Sequence, residues 1–211
     1  MMGLGHRPLR GWVRVADGMP NAVETQVQTC ISRGEYRGAL ELLARTYLDT
    51  VYRYCLRMLH EDTGRARDVT QQVFEEVCKG ITSYRGESSV KTWLLAITRN
   101  QCLKEIDTHV RRSAMLRDNV MQVESQVHTL PHAEAETALV SLEWLGRLQA
   151  GLARLAPEDR SLLVMRFGIG VSSELSIAEI AQILGISRAS AYRKVHEALA
   201  HLRRIMHDET G

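Results

Sequence analysis

The chain has 211 residues with 45% hydrophobic and 5% aromatic content, and its formal net charge is +2 at pH 7. This composition excludes collagen-like and low-complexity chains, favours helices and allows one or two domains. The near-neutral charge argues against tight binding to duplex DNA by the chain alone, because such proteins usually carry a clear basic excess.

Signals for membranes, secretion and metals are missing from the sequence. The longest strictly apolar run covers residues 93–97, whereas a membrane span needs roughly 20 residues. The first 18 residues carry charge but lack the apolar segment of a secretory signal. No two of the four cysteines form a CxxC pair. The pattern therefore favours reduced, mostly buried thiols in a cytoplasmic protein and predicts no metal or other cofactor.

The first half of the chain predicts one helical domain. Residues 1–34 contain several glycines and two prolines without a stable period, and predict a flexible extension. A first helix is indicated by apolar residues three or four positions apart, at Leu40, Leu43, Tyr47, Val51, Tyr54 and Met58. After a break at 60–64, a second helix has the stripe Ala66, Val69, Val73 and Val77. A third helix is predicted near residues 91–106, so that residues 35–107 form the domain.

A linker and a second helical domain follow. Residues 108–137 are polar, contain Pro131 and are predicted as the linker. A short stripe leaves open that part of it is helical, at Leu116, Val120, Val123, Val127 and Leu130. The second block covers residues 138–208, and Pro157 with two following acids is typical of a helix start inside it. Ser176 with Glu179 three positions later predicts a capping box at a further helix start. With no convincing strand, we expect an all-α chain of two helical domains.

Residues 177–195 read IAEIAQILGISRASAYRKV, which is a helix-turn-helix pattern. Ala181 is small where two helices would cross, Gly185 stands at the turn, and Ser187 can cap the second helix. Such a second helix enters the major groove of DNA, where Arg is the usual reader of guanine. It would expose Arg188, Ser190, Tyr192, Arg193, Lys194 and Glu197. The alternative is that these are solvated residues on a helical hairpin.

Two stretches of the first domain carry a more specific pattern. Residues 68–74 read DVTQQVF, and residues 84–100 read YRGESSVKTWLLAITRN. With the helix-turn-helix at the right separation, they closely resemble the extracytoplasmic-function (ECF) sigma factors of the bacterial sigma-70 family. The resemblance covers residues 36–107 and 138–206, and implies a sigma-2-like domain followed by a sigma-4-like domain. It also implies a factor that binds core RNA polymerase, recognises −10 and −35 promoter elements and promotes DNA melting.

For the second helix, the resemblance implies docking on the clamp helices of the largest polymerase subunit. The residues that would make this contact are Asp68, Gln71, Gln72 and Glu75. Gln72 stands where the family commonly has Glu, which lowers the negative charge of the contact. A second interpretation of Asp68 is an acid near a helix start, where it favours the helix dipole.

The third helix and the loop before it are implied to read the separated −10 strand, for which an aromatic ring beside basic residues is suited. Trp93, Asn100 and Lys104 are spaced by seven and four, so they share one helical face. Asn100 aligns with the family's Asn that contacts this strand. Candidate phosphate contacts are Arg85, Lys91 and Arg99. The alternative for Trp93 is a mainly structural role in the core.

The second domain is implied to bind the −35 element through the helix that begins at Ser187. The corresponding candidate residues are Ser187, Arg188, Ser190, Tyr192, Arg193 and Lys194. Its apolar side is implied to bind the flap of the second-largest polymerase subunit. The resemblance also implies an anti-sigma protein that holds the factor inactive, and no catalytic chemistry.

Two other classes of protein are weighed against this one. A stand-alone helix-turn-helix regulator would dimerise and bind a palindromic duplex without polymerase. An enzyme would need a nucleophile with its base, a metal-ligand cluster or a phosphate loop, and the sequence has no such signature. His196, His201 and His207 are spaced by five and six, which is poor for one metal site.

Overall fold

The computed structural model describes residues 22–117, 146–169 and 174–208, and every regular element in these ranges is helical. The first range holds α1 (Ala22–Ser32), α2 (Tyr36–Met58), α3 (Thr63–Gly80), a 3-10 turn (Ile81–Ser83) and α4 (Val90–Arg117). The other two hold α5 (146–154), α6 (Pro157–Phe167), α7 (Ile177–Leu184) and α8 (Arg188–Asp208). The prediction of an all-α fold with two helical domains is confirmed.

Part of the predicted flexible extension is an ordered helix. Residues 22–32 form α1, which packs on α2 and buries Val27 completely. The signal was a short helical spacing of Val23, Val27 and Ile31, which the neighbouring glycines and prolines concealed. Residues 1–21, the rest of that prediction, lie outside the described residues.

The stripes read from the sequence form the core of the first domain. Val51, Tyr54 and Met58 of α2 are buried against Val69 and Val73 of α3. The chain turns between these helices through His60 and Glu61, which have φ of +59° and +63°. Asp62 then caps α3 by accepting a hydrogen bond of 3.0 Å from the Arg65 amide. These local features bring α2 and α3 side by side.

The third helix is longer than the sequence predicted. α4 continues to Arg117, so residues 108–117, predicted as linker, are helical. No glycine or proline interrupts this stretch, and the Arg111–Asp107 ion pair of 2.8 Å joins positions i and i+4. The predicted linker from 118 to 137 and the predicted start of the second domain at 138 lie outside the described residues.

Local sequence signals explain the helices of the second domain. Pro157 stands in the first turn of α6, and Ser176 with Glu179 forms a capping box at the start of α7. Gly185 has φ of +64° and ends α7 in the left-handed conformation that favours glycine. The Ser187 hydroxyl then accepts a hydrogen bond of 3.1 Å from the Ser190 amide at the start of α8. The predicted turn and both predicted caps are confirmed.

The two domains are in contact, because α6 and α7 pack against α2 and α4. The hydroxyls of Tyr54 and Ser161 lie 2.9 Å apart, and both residues are buried. Arg160, only 3% exposed, donates to the Met58 carbonyl across this boundary at 2.8 Å. In its own domain, Arg160 also donates to the carbonyls of Leu152, Ala153 and Leu155.

The prediction that the thiols are mostly buried is only partly met. All four cysteines are free. Cys55 and Cys102 are buried in the first domain with their sulfur atoms 3.7 Å apart. Cys30 is half-buried and Cys78 is exposed on α3.

Candidate functional site

The residues predicted to contact polymerase lie together on α3. Asp68, Gln71, Gln72 and Glu75 are all exposed, on the side of the helix opposite the buried Val69 and Val73. The Gln71 amide donates a hydrogen bond of 2.9 Å to the Glu75 carboxylate, which fixes both side chains along the helix. The four positions therefore form one polar, acidic surface, which we call the α3 face.

The alternative interpretation of Asp68 is wrong. Asp62 caps the helix, and the first turn of α3 contains no acidic residue. Asp68 lies six positions beyond the cap, where the helix dipole has little effect because that effect is confined to the first turn. The carboxylate of Asp68 therefore does not serve helix initiation.

An apolar groove of about 970 Å³ borders the α3 face. It runs between α2 and α3, and its lining includes Leu48, Tyr52 and Phe74, with Gln71 and Glu75 also in its wall. Leu48, which lines the groove, is 50% exposed. The sequence patterns did not predict a site at Leu48, Tyr52 or Phe74. The available signal was that Leu48 and Phe74 are apolar but lie off the core stripes.

The loop before α4 is built around two aromatic rings. The rings of Tyr84 and Trp93 lie 5.1 Å apart at an interplanar angle of 47°. The Tyr84 hydroxyl donates to the Ser88 carbonyl at 2.7 Å, and burial raises the pKa of Tyr84, so the phenol stays protonated. Trp93 is half-buried and packs against the core, close to Gly80. Its structural role and its predicted role at the DNA are therefore compatible.

The six residues predicted for the −10 strand divide into two groups. Asn100 and Lys104 are exposed on α4 on the same side as Trp93, and Arg85 is exposed in the loop. Lys91 and Arg99 instead reach the second domain. The Lys91 ammonium donates to the Glu174 carbonyl at 3.3 Å, and Arg99 donates to the Ser161 hydroxyl at 3.1 Å.

The helix-turn-helix presents a basic helix to solvent. At the start of α8, Arg188, Arg193 and Lys194 are exposed, and Tyr192 is 54% exposed with its ring 4.2 Å from that of His196. The buried Ala191 and the Val195 behind it hold the helix against α7. Ser187 and Ser190 hydrogen-bond to each other, so these two hydroxyls serve the cap.

Within the described ranges, no group of three or more His, Cys, Asp or Glu residues is arranged to hold a metal ion. In the same ranges, no helix combines the length and the apolar content needed to cross a membrane.

Comparison with known families gives two matches on this chain. The model of sigma-70 region 2 matches residues 43–112, and that of sigma-70 region 4 matches residues 151–204. Together they span more than half of the sequence, with the α3 face in the first match and the helix-turn-helix in the second. The chain belongs to the sigma-70 family.

Curated relatives narrow this assignment to the ECF group. RNA polymerase sigma factor YlaC of Bacillus subtilis is 27% identical over 172 residues, covering 82% of this chain and 94% of the relative. The ECF RNA polymerase sigma factor SigW of the same species is 27% identical over 169 residues, covering 77% and 86%. This protein is an ECF sigma factor.

Two solved structures share the fold. CnrH in complex with the cytosolic domain of CnrY is 16% identical, with a TM-score of 0.58, covering 89% of this chain and 99% of that one. The sigma factor RpoE of Bartonella quintana, in complex with the anti-sigma factor NepR, is 18% identical, with a TM-score of 0.55, covering 79% and 95%.

Proposed function

We propose that this sigma factor binds core RNA polymerase, directs it to promoters with −10 and −35 elements, and helps to open the duplex. The observation that carries the proposal is the α3 face beside the apolar groove, on a chain that also has a basic helix-turn-helix. A regulator that acts alone would use its other domain to dimerise, and the gel filtration described below separates that case from polymerase binding. The protein acts in the cytoplasm and supplies no catalytic chemistry of its own.

The polymerase contact follows from the chemistry of the α3 face and its groove. The groove suits apolar side chains, and the carboxylates of Asp68 and Glu75 suit basic residues around them. We assign this surface to the clamp helices of the largest subunit. The apolar side of the second domain is assigned to the flap of the second-largest subunit. Two separate contacts would hold the factor on the enzyme while each domain reads DNA.

Promoter reading is divided between the domains. Asn100 and Lys104 would contact the separated −10 strand, and Trp93 would offer a stacking surface for an unpaired base. The exposed residues at the start of α8 would enter the major groove at the −35 element. Because the net charge is only +2, polymerase is expected to supply most of the affinity for DNA.

The contact between the domains must open for this function. The −10 and −35 elements are separated by about 25 base pairs, which at roughly 3.4 Å each is about 85 Å. The two domains cannot reach both elements at once while they are in direct contact, as they are here through α4 and α7. Opening also releases Lys91 and Arg99 from Glu174 and Ser161 for phosphate contacts. We propose that an anti-sigma protein acts on this equilibrium, as a partner that keeps the factor inactive.

Gel filtration with bacterial core polymerase tests the proposal. The wild-type chain is expected to co-elute with core enzyme as a one-to-one complex, and the double variant Asp68→Ala with Gln71→Ala is expected to co-elute weakly. A matched control is Asp107→Ala with Gln26→Ala, which also removes an exposed acid and an exposed amide but on α4 and α1 rather than on α3. A dimer that binds duplex DNA alone and ignores polymerase would contradict the proposal in favour of the stand-alone regulator.

A further inference from the structure

Glu24 of α1 is a carboxylate buried at the start of another helix. It is only 8% exposed, and one of its oxygens accepts a hydrogen bond of 2.6 Å from the amide of Val90, the first residue of α4. The amides at a helix start have no partner within the helix, and a negative charge there is favourable. Glu24 therefore fixes the position of the first turn of α4 from a different helix.

The same carboxylate also reaches the loop before α4. The Tyr84 hydroxyl lies 3.4 Å from the Glu24 oxygen while it donates to the Ser88 carbonyl. The charge of Glu24 adds to the effect of burial in raising the pKa of Tyr84. The buried carboxylate of Glu24 thus holds both ends of the segment 84–89. It lies beside the hydroxyl of Tyr84 at one end, and it accepts from the amide of Val90 directly after the other end.

A second residue of α1 lies beside the middle of this loop. Gly86 has φ of +71°, and a side chain there would meet the amide nitrogen of Gln28 at 3.7 Å. α1 therefore lies along the loop as well as at its end. The position matters because Arg85 lies in this loop and Trp93 follows one turn into α4, packed on the ring of Tyr84.

We propose that Glu24 is a positioning residue for reading the −10 strand, acting through the 84–89 loop and the first turn of α4. The inference rests on the proposed function and assigns a role to a helix that lies before the sigma-70 region 2 match, which begins at residue 43. Glu24 does not touch DNA in this proposal. It sets the place of the side chains that do.

The experiment uses the complete chain with core polymerase on a promoter library randomised at both elements, with transcripts counted by sequencing. Glu24→Ala is expected to lower selectivity at −10 about fivefold, equivalent to roughly one ordinary hydrogen bond, and to leave selectivity at −35 unchanged. Glu24→Gln should largely retain selectivity, because its amide oxygen can still accept from Val90. Glu35→Ala is the matched control, since Glu35 is exposed and makes no capping hydrogen bond with its side chain.

The −35 element serves as an internal reference for folding. Equal loss of selectivity at both elements would overturn the inference, since it would indicate a general structural role, and so would wild-type selectivity in Glu24→Ala. Tyr84→Phe provides a second variant that keeps the ring on Trp93 and removes the hydroxyl; it is expected to lower −10 selectivity alone. If the wild-type holoenzyme selects neither element, the proposed function is wrong. If the wild type selects both elements and Glu24→Ala does not change the −10 preference, only the role of Glu24 is wrong.

Discussion

The guanidinium of Arg160 in α6 donates a hydrogen bond of 2.8 Å to the main-chain carbonyl of Met58, the last residue of α2. The same side chain donates to carbonyls at the end of α5. Carbonyls at the end of a helix lack partners within it, and a cation there is favourable to the helix dipole. One buried cation thus completes the ends of two helices that belong to different domains.

Replacing Arg160 by Met should destabilise the protein strongly. The variant leaves buried carbonyls without donors, at about 1–3 kcal/mol each, so we expect the free energy of unfolding to fall by at least about 3 kcal/mol. Urea unfolding followed by circular dichroism measures this. Arg204→Met on α8 makes the same change at an exposed position and should stay within about 0.5 kcal/mol of wild type. Similar midpoints for the two variants would contradict the assigned role of Arg160.

Local signals in the sequence were sufficient to predict most helices, but they could not predict contacts between segments that are distant in the chain. Ser176, Gly185 and Ser187 were identified correctly because caps and turns depend on neighbouring residues. Arg160 and Glu24 were missed because each acts on an element far away in the chain. Periodicity indicates which side of a helix is buried, but it does not indicate what covers that side. The α2–α3 groove was missed for the same reason.

The His60 side chain should make stability depend on pH. Burial lowers the pKa of His60, and the nearby charges of Arg160 and Arg65 lower it further. The unfolded chain then takes up a proton more readily than the folded one. The stabilising contribution is fully present above the unfolded pKa of about 6.5 and is lost as the pH falls below it.

The variant His60→Asn tests this dependence, because Asn tolerates the φ of +59° at this position. Wild type is expected to lose more stability than the variant between about pH 7.5 and pH 5.5, measured by urea unfolding at each pH. His109→Asn, at an exposed position on α4, should follow the wild-type curve. Parallel curves for wild type and His60→Asn would show that His60 does not contribute.

Leu48 tests the groove without disturbing the core. Because its side chain is half exposed, Leu48→Ser should lower the free energy of unfolding by only about 1 kcal/mol, roughly half the contribution of a fully buried leucine side chain. If polymerase fills the groove, the same change should weaken binding to core enzyme by about tenfold, as expected for an apolar contact near the centre of an interface. Fluorescence anisotropy of labelled chain measures the affinity. Val110→Ser, at 59% exposure on α4 and outside the groove, is the control and should bind as wild type does.

Arg188 and Arg193 test how the second domain reads DNA. If either arginine contacts a base, its change to Ala should cost about 1–3 kcal/mol at the −35 element and relax the preference at one base pair. If it contacts phosphate, binding should weaken evenly across sequences and the salt dependence should fall by about one ion. Holoenzyme binding to a panel of −35 variants at several salt concentrations separates these outcomes. Arg204 lies on the same helix but far from its start, so the holoenzyme with Arg204→Ala should keep the wild-type base preference. If Arg188→Ala and Arg193→Ala both left the base preference and the salt dependence unchanged, the start of α8 would not be the part that reads the element.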